Sequence, residues 1–248
     1  MGYLRNFSHP LRVALLTITP TSRPPDAEVL SLAPYALQSY AQWRLGQEGI
    51  QDSVIFRVFH YVEGVSLERI AEEINAFLPD LFVLSAYVWN LLELLHVARL
   101  IRVWHPGVVI VMGGPQASPI AEDVLRENFY LDAVAYSVVD GEIVFFHLVK
   151  SFITGVGLKE VPGLVCRDEM GGLYRLAPPN EILDFYSIPS PYLDGTIVLE
   201  PGKKYRLSIE TSRGCAFDCA YCFWGKEERK VRFFALERIL AELDSVFS

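Results

Sequence analysis

The chain has 248 residues, 51% of them hydrophobic, and its 22 Lys and Arg against 30 Asp and Glu give a net charge of −8. A chain of this length and apolar content buries a sizeable core, enough for one large domain or one domain and part of another, and is not intrinsically disordered. The acidic balance argues against the basic face that a phosphate backbone demands, so nucleic acid is not an expected partner.

The N-terminal stretch "MGYLRNFSHP" is polar and lacks an apolar signal core. The most apolar run, "LFVLSAYVWNLLELLHVARLI", is broken by Asn90, Glu93, His96 and Arg99. That pattern predicts a strand, a turn and a helix, with no membrane span. Four unevenly spaced cysteines do not make a disulfide framework, so a reducing cytoplasm is expected.

Short apolar runs alternate with amphipathic ones. "LRVALLTI" from Leu11 predicts the first strand, and Val29–Gln47 the first helix. "DSVIFRVF" from Asp52 is followed by a helix over Ser66–Phe77, and "DLFVLSAY" from Asp80 by one over Leu91–Trp104. "VVIVMGG" from Val108 leads to a helix over Pro119–Glu127, with Ser118 placed to cap it and Pro119 at its first position. "DAVAYSVV" from Asp132 and a helix over Glu142–Phe152 complete the series. Most of these strands are apolar throughout, as strands covered on both faces must be. Alternation with short connections predicts an α/β fold, a Rossmann-like doubly wound parallel sheet. Ligands of such sheets bind beyond the carboxyl ends of the strands, so "TPTSRPPD", "SAYVWN", "GGPQASP" and "SVVDGE" are the loops of interest. No G-x-G-x-x-G follows the first strand, which argues against a nicotinamide cofactor.

After about Gly155 the pattern changes. "PGLVCRDEMGGLYRLAPP" predicts a hairpin turning at Gly171 and Gly172, followed by a Pro-rich connector through Pro191. "KYRLSIET" reads as a new strand and "FFALERILAELDSVF" as a helix. Three segments are therefore expected: a sheet domain over 1–155, a hairpin and connector over 156–202, and a strand–loop–helix unit over 203–248. One such unit is too little for a domain, so its strand edge and helix face are expected to be poorly covered and the chain to be incomplete.

Between that strand and helix lies "ETSRGCAFDCAYCFWGK", in which Cys215, Cys219 and Cys222 follow a C-x3-C-x2-C spacing. Zinc sites favour four protein ligands, and no Cys or His follows Cys222. Three thiolates suit a [4Fe–4S] cluster in which one iron lacks a protein ligand, as a substrate-chelating cluster requires. Structural zinc with Cys166 as a remote ligand, or free cysteines, are the alternatives.

"CAFDCAYC" resembles the CxxxCxΦC signature of the radical S-adenosylmethionine enzymes, with Tyr221 at the aromatic position and Ala216 where relatives often have proline. "ETSRGC" and "VRFFALERILAEL" resemble the first strand and helix of that family's partial (β/α) barrel. The resemblance implies that the open iron binds S-adenosylmethionine, that reduction releases a 5′-deoxyadenosyl radical, and that Tyr221 lies near the adenine. The order of a sheet before this signature resembles the cobalamin (B12)-binding class of that family. It implies corrin-facing loops made by Ser85, Tyr87, Trp89 and Asn90 after the third strand and by Gly113, Gly114, Pro115, Gln116 and Ser118 after the fourth. Asp140, Gly141 and Glu142 would follow the fifth, where relatives often read RGEGE and only the last Gly-Glu pair is kept. Gly113 and Gly114 would give clearance to the nucleotide tail, Ser85 and Ser118 hydrogen bonds, and Tyr87 and Trp89 ring packing. The D-x-H-x-x-G motif of histidine-ligated cobalt is missing, and His60 in "VFHYVEG" reads as structural.

The implied function is methyl transfer to an unactivated carbon or phosphorus centre, using the cluster, S-adenosylmethionine and cobalamin. A small-molecule or peptide substrate and an electron donor such as flavodoxin or ferredoxin would be its partners, with no membrane. A radical enzyme whose sheet no longer binds cobalamin, or a non-enzymatic cobalamin or iron–sulfur module, would fit the same residues.

Overall fold

The structure is a computed structural model that describes residues 9–21, 27–136, 140–217, 219–222 and 230–247. In chain order its strands are Leu11–Thr19 (β1), Ala27–Val29 (β2), Val54–Val62 (β3), Leu81–Ser85 (β4), Val109–Gly113 (β5), Ala133–Ala135 (β6), Leu164–Arg167 (β7), Leu173–Arg175 (β8), Lys204–Arg206 (β9), Ser212–Arg213 (β10) and Arg232–Phe233 (β11). The helices are Leu32–Gln47 (α1), Leu67–Phe77 (α2), Leu91–Trp104 (α3), Ala121–Glu127 (α4), Gly141–Ile153 (α5) and Leu236–Phe247 (α6).

Seven strands form one sheet in the order β3-β1-β4-β5-β6-β7-β8. The first five pair in parallel, and β7 and β8 extend the sheet antiparallel. Side chains alternate across β1. Leu11, Val13 and Leu15 pack with Tyr40 and Leu45 of α1 and Phe146 of α5, whereas Ala14, Leu16 and Ile18 pack with α2 and α3. Helices therefore cover both faces, and nearly every residue of β1, β4 and β5 is buried. Between β1 and β4 the order of strands reverses, the place where an open α/β sheet leaves a crevice at its carboxyl edge.

α5 is apolar almost all round, with Ile143, Val144, Phe145, Phe146, Leu148, Val149 and Phe152 buried. Such a helix must be enclosed. The sheet and α1 cover part of it, and Leu183, Phe185 and Ile188 of the connector join the same core cluster.

Several expectations change in detail. The predicted first helix begins three residues late, because Ala27–Val29 pairs in parallel with Lys204–Arg206 instead. The hairpin at Gly171 and Gly172 is present, yet it joins the central sheet through β6, so the sheet continues past residue 155. "KYRLSIET" is not one continuous strand: Lys204–Arg206 pairs with β2, and the two-residue β10 pairs with β11. Ser118 does not cap a helix from Pro119. A single 3-10 turn over Ser118–Ile120 precedes α4, and the Ser118 hydroxyl donates to the carbonyl of Ala135 at 2.7 Å. Residues 22–26 of "TPTSRPPD" and 137–139 of the predicted fifth strand lie outside the described residues. Among the described residues, no helix is long and apolar enough to cross a membrane.

Candidate functional site

At the carboxyl ends of β4, β5 and β6, between the sheet and helices α1 and α5, lies a cavity of about 720 Å³. Its depth is apolar: Leu37 of α1, Val83, Val111, Phe145 and Leu148 line it. Its mouth is polar. The mouth is built from Ser85 and Tyr87, from Gly113, Gly114, Pro115 and Ser118, from Asp140, Gly141 and Glu142, and from residues 208–214 with Arg232. The structure thus gathers most of the predicted cobalamin contacts around one opening. Trp89, Asn90 and Gln116 are not among the lining residues.

Asn90 is fully buried, and its side chain is used inside the protein. Its amide donates to the carbonyls of Ile18 at 3.0 Å and Ser85 at 3.2 Å, and its oxygen accepts from the Tyr87 backbone N–H at 2.7 Å. It fastens the 86–90 loop to the ends of β1 and β4 and offers nothing to a ligand, contrary to the expectation. Tyr87 and Trp89 stack on each other with centroids 4.7 Å apart and planes 8° apart, leaving Trp89 half-exposed beside the mouth. Burial raises the Tyr87 phenol's pKa, while a hydrogen bond to Ser85 opposes the shift. Gln116 contributes its backbone N–H to the carbonyl of Ala86.

The glycine requirement at Gly114 also differs from the expected clearance for a ligand. Gly114 has φ +109°, and a Cβ there would overlap the Ala86 carbonyl oxygen and come within 2.8 Å of its nitrogen. The need arises from the protein's own backbone: the 86–90 and 114–118 loops touch there. At Gly113 a Cβ would make ordinary contact with Ala135 at 3.5 Å.

The acidic residues at the start of α5 do not stand free at the mouth. Glu142, 5% exposed, receives a two-pronged grip from Arg213 at 2.6 and 3.0 Å. The same guanidinium donates to both oxygens of Glu210 at 2.8 Å. Asp140, also 5% exposed, takes Arg232 at 2.7 and 3.1 Å and the Leu183 backbone N–H at 3.0 Å. Asp140 holds φ +55°, a conformation Asp tolerates better than most residues. Burial alone would lower the Arg213 pKa; Glu142 and Glu210 reverse that and hold it above its ordinary value. The stacked rings of Phe185 and Phe234, 4.5 Å apart, lie under both arginines. Planar forks and carboxylates of this kind fix orientation as well as charge.

Arg213 and Arg232 are direct partners in the β10–β11 ladder. That ladder is the neck of the segment carrying Cys215, Cys219 and Cys222. Gly214, at φ +89°, lies so close to the Lys230 carbonyl that no Cβ fits. The three cysteines are partly buried and unpaired, and the Cys222 backbone N–H donates to the Cys219 carbonyl at 3.0 Å. Among the described residues no three His, Cys, Asp or Glu side chains converge as a metal site. Tyr221 is 92% exposed. Cys166 is wholly buried in β7, and burial pushes its thiol pKa up to about 12, so it is no candidate ligand. His60 does not line the cavity; its Nε2 lies 3.1 Å from the Thr19 hydroxyl, and burial lowers its pKa to about 4.

Sequence reasoning missed Glu210, Arg213 and Arg232 as site residues. Arg213 stood two residues before the first cysteine, but one of its two carboxylate partners, Glu142, is 71 positions away.

Residues 51–149 match the B12 binding domain family. The chain is 29% identical over 225 residues to a 2-(S-pantetheinyl)-carbapenam-3-carboxylate methyltransferase of Streptantibioticus cattleyicolor. It is 29% identical over 226 residues to the cobalamin-dependent radical SAM methyltransferase TokK of Streptomyces tokunonensis. In each case 87% of this chain aligns with 31% of the relative, so the chain spans about a third of their length. The fold is that of the cobalamin-dependent S-adenosylmethionine radical enzyme OxsB with aqua-cobalamin and S-adenosylmethionine bound. The TM-score is 0.70 at 22% identity, over 96% of this chain and 32% of that one. Residues 51–149 thus form a B12 binding domain, a C-x3-C-x2-C loop follows it, and across both the chain is similar to cobalamin-dependent radical S-adenosylmethionine methyltransferases.

Proposed function

We propose that this chain holds the two cofactors of a cobalamin-dependent radical S-adenosylmethionine methyltransferase acting on an unactivated carbon or phosphorus centre. The observation that carries the reading is the shared wall: residues 208–214, which lead into the cysteine loop, also line the cavity of the B12 binding domain. The residues suit both groups. The cavity's apolar depth accepts a flat aromatic base, and its polar mouth accepts the amides and sugar of a nucleotide tail. Cys215, Cys219 and Cys222 are soft thiolate donors for iron, while Cys166 stays protonated.

When bound, the reduced cluster supplies the electron that cleaves S-adenosylmethionine, and methylcobalamin supplies the methyl group. The chain's own residues hold these groups in place. Asn90 and Gly114 lock the two loops at the mouth, and Arg213 and Arg232 tie the cysteine-loop neck to the start of α5. The stacked pair Tyr87 and Trp89 forms an aromatic ledge beside the mouth against which a large planar ring can pack. Tyr221, exposed between the second and third cysteines, is free to meet an adenine. A small-molecule or peptide substrate, an electron donor of the flavodoxin or ferredoxin kind and a cytoplasmic setting complete the proposal, and the free cysteines agree with a reducing compartment.

Anaerobic reconstitution with iron, sulfide and hydroxocobalamin tests it. One corrin and one cluster per chain, with release of 5′-deoxyadenosine from S-adenosylmethionine on reduction, is the expected result. A chain that retains no corrin, or cleaves nothing when loaded, overturns it.

A further inference from the structure

The cavity's depth has a chemistry of its own. α5 rises about 1.5 Å per residue, so Leu148 lies roughly 10 Å below Gly141 at the mouth. Val83 and Val111 each sit two residues before the ends of their strands, about 7 Å down. At that depth the walls are Leu37, Val83, Val111, Phe145 and Leu148, and none of these side chains carries a polar atom. The backbone offers nothing either. β4 is paired on both edges, with β1 and β5, and α5 uses its groups internally. Side-chain hydrogen-bonding groups begin nearer the mouth, at Ser85 and Ser118, and the Ser118 proton is already given to Ala135.

We infer that this cavity selects among cobamides by the base of the nucleotide tail, accepting apolar aromatic bases and rejecting purines. The inference rests on the cobalamin reading above. Dimethylbenzimidazole presents methyl groups and a carbocyclic edge, which suit walls of Val, Leu and Phe. Adenine presents an exocyclic amine and ring nitrogens at the same edge. Buried here they would lose their water and find no partner, and two such groups cost about 100-fold in affinity or more. A phenolic base, with no ring nitrogen, avoids that cost. The discrimination is of the kind a dry site imposes: it acts by leaving polar groups unpaired and needs no new attraction.

Binding of three cobamides to the full chain, followed by the corrin absorption spectrum, tests the inference. Cobalamin and a p-cresolyl cobamide should bind within about tenfold of each other, and an adeninyl cobamide at least about 100-fold more weakly. Val111→Thr keeps the side chain's shape and puts a hydroxyl into the depth, so it should narrow the gap between adeninyl cobamide and cobalamin by about tenfold. Cobalamin binding together with adeninyl binding of equal strength overturns the inference and leaves the cobalamin reading standing. Failure of all three cobamides to bind overturns that reading, and the inference with it.

Discussion

Arg213 grips Glu142 through two hydrogen bonds, at 2.6 and 3.0 Å, across 71 positions of the chain. One residue opens the buried helix beside the cavity and the other precedes the first cysteine by two positions. Two segments whose sequence resemblance points to different cofactors are thus parts of one contact. Breaking a buried pair by removing one partner leaves an uncompensated charge, which costs about 3–5 kcal/mol. Arg213→Gln should therefore lower stability by about that much in denaturant titration, and reduce iron retention after reconstitution. Arg213→Lys keeps the charge but cannot fork toward Glu142 and Glu210 together, so it should fall between the two. Unchanged stability and iron content in Arg213→Gln would show that the contact holds nothing.

Replacing Cys215, Cys219 or Cys222 with Ala should each abolish bound iron after anaerobic reconstitution. Cys166→Ala should leave iron content unchanged, because that thiol is wholly buried and held protonated. Equal loss of iron in Cys166→Ala would return a four-cysteine site to consideration.

His60 supplies a pH signature. Its pKa is about 4 in the folded chain against an ordinary 6.5, because burial disfavours the imidazolium. Above pH 6.5 both folded and unfolded states keep it neutral, and it contributes no pH dependence. As pH falls from 6.5 toward 4 the unfolded state takes up the proton first, so stability declines by up to about 1.4 kcal/mol per pH unit. His60→Gln should flatten the stability profile in that window. The electron paramagnetic resonance of bound Co(II) should show no nitrogen splitting that disappears with this variant.

Gly114→Ala should separate the two loops at the mouth. The added methyl meets the Ala86 backbone in a conformation that L residues resist, at a cost above about 2 kcal/mol. Cobalamin affinity should drop with it. Gly113→Ala, where the nearest atom is 3.5 Å away, should be milder.

The sheet was legible because burial on both faces leaves an unmistakable signal: β1, β4 and β5 are apolar nearly throughout. The short strand Ala27–Val29 was not. It has no periodicity of its own and exists because it finds Lys204–Arg206, the start of the run read as a single strand. The loops that form the mouth could be named from the sequence, but the work of single residues within them could not. Asn90 looks like any polar loop residue until its three hydrogen bonds are traced, and Gly114 looks like room for a ligand until Ala86 appears beneath it. The charge network was illegible for a plainer reason. Spacing reports local neighbours, whereas Asp140 and Arg232 meet across 92 positions.

The neck of the cysteine loop sets an order of assembly. Arg213 and Arg232 face each other directly in a ladder only two residues long on each strand. Like charges in that position repel, and so short a ladder has little to oppose them. In a chain whose first half is unfolded, Glu210 stays beside Arg213 but Glu142 and Asp140 are absent, so the neck loses much of the charge pairing that holds it. Pulse-labelled refolding should accordingly protect β1, β4 and β5 before residues 212 and 233, and early protection of the neck would contradict this. When α5 docks it brings Asp140 and Glu142 to the rim and completes that pairing, so the neck of the cysteine loop closes against a sheet that already exists.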